Sequence, residues 1–195
     1  MGLNANKVFT PTPDQSPTTG SVLVAPVGTT GPTDARTAMP STWDDGGYVD
    51  ENGLSITVTR STTPLRDWSK STVRQLLTEY AGALTLNFLQ VDEFAAKRVF
   101  GADNVTVTAA GSGHGEIIKV GIGAELPPIE SYVFNMKDNN ARIRVYVPRG
   151  QFTDVAQLDF KPDAGNVIGG TLNTYDDGTG NSIYIIYDDG TTVSG

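Results

Sequence analysis

The chain has 195 residues, of which 38% are hydrophobic and 8% aromatic, with 22 Asp and Glu against 14 Lys and Arg for a net charge of -8. Such a length supports one domain with an arm, or two small domains, and a real core, and so acidic a surface disfavours ordinary nucleic-acid binding because it repels phosphates. The absence of Cys excludes disulfides, thiolate metal sites and cysteine nucleophiles, and a single histidine, His114, excludes most histidine-based metal centres.

Nothing in the chain approaches the roughly 20 apolar residues of a membrane-spanning helix, and the N-terminus has neither a basic region nor an apolar signal segment. The start Met1-Gly2-Leu3-Asn4-Ala5-Asn6 places Asn where a myristoylation signal has Ser or Thr. These features predict a soluble protein made in a cytoplasm. The charge is uneven: residues 150–195 hold seven acids (Asp154, Asp159, Asp163, Asp176, Asp177, Asp188, Asp189) and one base, Lys161, which leaves -2 for the rest of the chain.

Residues 1–46 read as a long irregular N-terminal arm, with Pro11, Pro13, Pro17, Pro26, Pro32 and Pro40 among Thr, Gly and Asp. Lead-in of that length loses entropy unless a partner surface orders it, and another copy of the chain is the expected partner. Residues 47–195 then read as an almost unbroken β domain. Leu54, Ile56 and Val58 alternate with Ser55, Thr57 and Thr59, the period of a half-buried strand. A polar loop is expected from Arg60 to Lys70, followed by strands near Val73–Leu77 and Leu84–Phe88.

One helix is predicted over about residues 92–100. Asp92 supplies the cap, Glu93 and Lys97 an i,i+4 pair, and Gly101 the stop, while Val91, Phe94, Ala95 and Val99 make an apolar stripe to seal one end of the core. Strands are expected at Val105–Thr108, around Ile118, Val120 and Ile122, and around Tyr132, Phe134 and Met136. An Asp138-Asn139-Asn140 turn leads to Ile143, Val145 and Val147. Leu158 with Phe160, then Ile168–Tyr175 with a Gly169-Gly170 bulge, then Ser182–Tyr187 complete the series, with Asp177-Gly178 marking a last hairpin.

Candidate chemistry is sparse. The Gly111-Ser112-Gly113-His114-Gly115 loop lacks the Lys and Ser/Thr of a P-loop and the spacing of a hydrolase serine, so it reads as a hairpin tip. The segment Asp176 to Asn181 offers oxygen ligands but no further carboxylate at a calcium-loop spacing, and a β-turn is the simpler account. Asp44 with Asp45 and Asp188 with Asp189 are sequence neighbours on opposite strand faces and read as solvated charge. No catalytic residue, cofactor or metal is assigned. Arg142 and Arg144 share a strand face opposite Ile143, Val145 and Val147; that face is either solvated, with cross-strand ion pairs, or a contact to acids of a neighbouring copy.

The run from Ala25 to Ala35 (APVGTTGPTDA), followed by Trp43, Gly47-Tyr48-Val49 and Glu51-Asn52-Gly53-Leu54, resembles the N-terminal pattern of the major tail, or tail tube, proteins of long noncontractile-tailed (siphovirus-type) bacteriophages, especially those of actinobacterial hosts. The resemblance continues through Asp67-Trp68, Val73-Arg74 and the Leu84–Gly101 stretch, covering roughly residues 4–150. It implies a mainly β fold, an antiparallel β-sandwich or barrel with one flanking α-helix. It further implies a structural virion protein, not an enzyme, whose six-membered rings stack into a hollow tube for DNA ejection.

The partners so implied are other copies of the chain, a tape measure protein, and tail terminator or tail-tip proteins, with phage DNA passing through the lumen unbound. Val8, Phe9, Pro26, Trp43, Arg66, Asp67, Trp68, Arg142 and Arg144 are the expected subunit or ring contacts, and Asp159, Asp163, Asp176 and Asp177 the expected lumen-facing acids. Two rivals share the strand pattern: a capsid-decoration or carbohydrate-binding β-sandwich, which would use Trp43 and Trp68, and a tail hydrolase working with His114 or carboxylates.

Overall fold

A computed structural model describes residues 7–14, 21–162 and 165–191. Eleven strands and one α-helix follow in chain order: β1 (Thr12–Pro13), β2 (Val22–Pro26), β3 (Asp44–Asp45), β4 (Ser55–Arg66), β5 (Thr72–Phe88), α1 (Glu93–Phe100), β6 (Val105–Thr108), β7 (Ile117–Val120), β8 (Glu130–Asp138), β9 (Ala141–Val155), β10 (Ile168–Thr174) and β11 (Tyr184–Asp188). Nine strands form one antiparallel sheet in the order β3-β2-β8-β9-β10-β5-β4, with β1 added to β8 and β11 to β9; β6 and β7 make a separate hairpin.

The 15-residue β9 organises the sheet. Its first half pairs with β8 on one side and β11 on the other, and its second half pairs with β10. The sheet bends there, bringing its two wings onto one core. Phe152 of β9 sits between the wings, 6.0 Å from the Tyr132 ring of β8 and 6.3 Å from Phe88 of β5. Val22, Val24, Leu84, Leu86, Val147 and Leu172 fill the space around these rings. This is the predicted antiparallel β-sandwich, made by one folded sheet.

Helix α1 closes an end of that core as its sequence signals require. The Asp92 side chain accepts from Ala95 N at 2.8 Å, Lys97 pairs with Glu93, and Gly101 takes φ 91°, a conformation that favours glycine. Ala95, Ala96, Val99 and Phe100 are the buried face, while Val91, expected in the stripe, remains half exposed. The predicted strand at Val105–Thr108 and the Asp138–Asn140 turn are both present, and the Gly111–Gly115 loop is the tip between β6 and β7.

Four expectations are corrected. The Arg60–Lys70 stretch is not a polar loop: β4 runs to Arg66, and β5 is one 17-residue strand rather than two. Leu158 and Phe160 lie outside any strand. The bulge falls at Thr171/Leu172 against β9, one residue beyond the glycines; Gly169 and Gly170 are small because a Cβ there would lie 2.3 Å from Leu86 O and 1.9 Å from Asp154 O. Asp177-Gly178 closes no hairpin, since β11 pairs with β9 and not with β10.

The proline-rich lead-in also contributes to the sheet. Val22–Pro26 pairs with both β3 and β8, and it is buried on both faces because Val22 and Val24 enter the main core while Leu23 and Ala25 face a second one. That second core, on the outer face of the sheet, contains Trp43 and Val133 with Met39 and Tyr146 packed against them. Residues 27–43 therefore cover one face of the β2–β8–β9 region.

Candidate assembly surfaces

Beyond Val58, β4 and β5 leave the body as a two-stranded ribbon. From Thr57 to Ala81 every residue except Ser61 is exposed, on both faces. Among its many polar residues, Val58, Leu65, Val73, Leu76, Leu77 and Tyr80 are all more than 40% exposed. Ten residues separate Val58 from Trp68, so at the usual rise the ribbon extends about 30 Å from the body.

Its tip is ordered by its own chemistry. The Asp67 carboxylate accepts from Ser69 Oγ at 2.7 Å and from Ser71 N at 2.9 Å, and these bonds hold it below the usual carboxylate range. Lys70 N donates to Asp67 O, and Lys70 takes φ 64° to close the turn. Arg66 reaches Lys70 O at 3.4 Å. Trp68 is fully exposed, with 102% relative accessibility. Three expected contact residues, Arg66, Asp67 and Trp68, thus share one protruding tip.

The other expected contacts are dispersed. Val8 is exposed, and Phe9 stacks on Tyr187 with ring centroids 5.8 Å apart. Pro26 ends β2, its carbonyl accepting from Thr29 N and Oγ1. Trp43 is 5% exposed and packs edge-on against Tyr146 at 6.2 Å, so its ring is occupied within its own chain. Arg142 pairs with the buried Asp14 at 2.9 Å.

Arg144 is 2% exposed, so its side of β9 is not a solvated face. Its Nε donates to Asn135 Oδ1 at 2.7 Å, and its Nη1 donates to the carbonyls of Asp34 and Thr37 at 2.9 and 3.0 Å. Burial lowers its pKa, offset by the nearby Asp34 and Asp14 charges, and a guanidinium remains charged under those conditions. The covering segment bends around this cation. Asp34 accepts from Arg36 N, Thr37 N and Thr37 Oγ1, which pull its pKa down to about 2, Thr37 most strongly.

Further ion pairs tie the lead-in to the C-terminal strand. Arg36 pairs with Asp188 and Lys7 with Asp189, the latter at 2.6 Å, so the acid pair at 188–189 is matched by bases rather than merely solvated. At the far edge Arg98 lies between Asp44 and Glu130, 3.3 and 3.1 Å away. Burial raises the Glu130 pKa, and Arg98 opposes that shift.

The described acids expected to face a lumen do not form one group. Asp159 accepts from Lys161 and Gln157, both at 2.8 Å, and follows the end of β9. Asp176 and Asp177 follow the opposite end of β10, a strand of seven residues, where Asp177 accepts from Tyr184 Oη at 2.6 Å and is held near pKa 2. Asp163 lies outside the described residues.

The described residues contain no cluster of His, Cys, Asp and Glu arranged to hold a metal ion, and none of their helices is long and apolar enough to cross a membrane. The geometry offers an exposed apolar ribbon, free sheet edges and charged surface. A family model described as "Phage tail tube protein" matches residues 1–194. The chain belongs to the phage tail tube protein family. Membership makes it a structural component of the virion tail that assembles with itself into a tube, and not an enzyme. No curated protein matches the chain in sequence. Among the tail tube protein's surfaces, the ribbon was the one least visible in the sequence; its signal was the recurrence of Val73, Leu76, Leu77 and Tyr80 after a Trp-Ser-Lys-Ser turn.

Proposed function

We propose that six copies of this chain close into a ring and that rings stack into the tail tube of a long noncontractile-tailed phage, giving a hollow conduit through which DNA leaves the capsid. The observation that carries this reading is the β4–β5 ribbon, with its apolar side chains exposed on both faces. Apolar side chains exposed along a ribbon mark an interaction surface, and other copies of the chain are the cover a tube supplies. The unpaired edge of β4 favours lateral pairing between neighbours, because closing a ring leaves no edge free.

In this reading the lead-in contributes Val8, Phe9 and Pro26 to contacts between copies, and Arg142 shapes that surface through Asp14. Acids of the C-terminal third, Asp159, Asp176 and Asp177 among them, keep the wall repulsive to DNA phosphates. A tape measure protein occupies the lumen before ejection, with terminator and tip proteins at the ends of the tube.

Negative-stain electron microscopy of the purified protein across a concentration series, with antibody labelling of virions, tests the proposal. Rings or hollow tubes of six-fold symmetry, and label along the tail shaft, are expected. Label confined to the capsid or the tail tip would overturn it.

A further inference from the structure

Beside α1 the structure holds a hollow of about 240 Å³ whose wall is formed by Val91, Phe100, Val120, Ile122, Leu158 and Phe160. Ile122 and Phe160 are 74% and 78% exposed there, and Val91 is half exposed, so the apolar lining is open to water in the single chain. The polar residues of its lining are Asp159 and Asn166. The hollow lies by Ile168, which pairs with Phe88 at the inner end of β5. Trp68 projects beyond the outer end of the same 17-residue strand, a span of about 55 Å at the usual rise.

We propose that Trp68 at the ribbon tip of one copy inserts into this hollow on the next copy along the tube, an assignment that rests on the tube reading above and names its axial contact. A knob and a hollow at opposite ends of one strand cannot meet within a chain. Between copies they make a heterologous, head-to-tail contact, which repeats without limit along one direction. The chemistry matches: an indole is a flat, mostly apolar ring suited to a hollow lined mostly by apolar side chains.

Charge supports the same occupant. Residues 55–88 carry Arg60, Arg66, Lys70 and Arg74 against Asp67 and Glu79, a net +2, while the remainder of a chain of net -8 carries -10. A basic ribbon approaching an acidic body is steered toward it.

Complementing variants of the full-length chain test the contact. Trp68→Ala removes the knob and Ile122→Asp charges the hollow; both positions are exposed, so circular dichroism and the emission of the buried Trp43 should remain those of the parent. Each variant alone should raise the concentration needed for tubes at least about 20-fold, the loss expected for an interface anchor. An equimolar mixture should regain association that stops at pairs of copies or rings, because one intact knob and one intact hollow remain. Ser69→Cys mixed with Asn166→Cys should form an intermolecular bis-maleimide link, on a background that has no cysteine.

Tubes forming from Trp68→Ala at the parent's concentration would overturn the contact while leaving the tube reading intact, as would cross-linking of Ser69→Cys only to a Thr33→Cys copy, in the separate groove lined by Val27, Thr33, Tyr146 and Ile186. A parent chain that stays monomeric at every concentration, with no label on the tail shaft, would overturn both.

Discussion

Arg144 and Asp34 lie 110 residues apart in sequence, and the buried Nη1 of the arginine donates to the main-chain carbonyl of Asp34 at 2.9 Å. The same nitrogen holds the carbonyl of Thr37, so a charge inside the sheet fixes the path of the segment laid over it. Arg144→Ala should destabilise the chain by about 2–4 kcal/mol, because it strands the Asn135 side chain and two carbonyls without their donor. Arg144→Lys should recover little of this, since a compact ammonium cannot span acceptors placed for a guanidinium fork. Urea unfolding of the dispersed protein measures both.

Acid should loosen the covering segment in a defined window. The Asp34 carboxylate is held near pKa 2 by the Thr37 and Arg36 donors, and Asp189 is held near pKa 2 first by Lys7. Depressed carboxylates contribute stability that is present above their unfolded value, near 4, and is lost as the pH falls through the folded value. The protection of residues 29–39 against amide exchange, relative to the unstructured rate at each pH, should therefore fall between about pH 4 and pH 2. Asp34→Asn should flatten that dependence, and an unchanged profile in this variant would refute the assignment.

Shortening the ribbon should separate folding from assembly. The side chains from Thr57 to Ala81 are almost all exposed, and the core cluster contains none of them. Replacing residues 61–79 by a two-residue Asn-Gly turn, which keeps Tyr80 and its hydrogen bond with Ser182 Oγ, should leave the melting temperature within a few degrees of the parent, since exposed residues contribute little to the isolated fold. Sedimentation should show that the shortened chain no longer forms polymers.

Gly170→Ala should be among the most damaging small substitutions. The added methyl would meet Asp154 O at 1.9 Å, with Val155 Cα at 3.1 Å, and both belong to the backbone of β9. Main chain fixed by a ladder cannot yield as a side-chain end would, so a cost of about 3 kcal/mol or more is expected. Thermal unfolding checks it against Gly178→Ala, where the strain comes from φ 96° alone and no neighbour is near.

The helix was legible because its signals are local: a cap, an ion pair and a stop within ten residues, all of which the structure contains. Strands with one buried face were legible for a related reason, since Val105 and Val107 alternate with Thr106 and Thr108 in the period that burial imposes. The ribbon lacked that signal: neither face is buried in the single chain, so Arg60–Lys70 carries no alternation and resembles a loop. Val22–Pro26 failed in the opposite way, as an unbroken apolar run buried on both faces beneath a segment full of prolines. Arg144 was placed on the correct side of β9, but nothing nearby in sequence reveals that residues 34–37 cover that side.

The pairing of β2 with β8 joins residues more than 100 positions apart, whereas the β4–β5 turn closes over a handful. Hairpins form within about 1–10 μs, while contacts between distant segments wait on the slow search that limits β-rich chains. Pairing of β4 with β5 therefore does not have to wait for the sandwich to close. Arg60, Arg66, Lys70 and Arg74 give that ribbon like charges of the kind that disfavour association of exposed strands. Neutralising them should lower the yield of soluble chain even where the finished fold is unaltered.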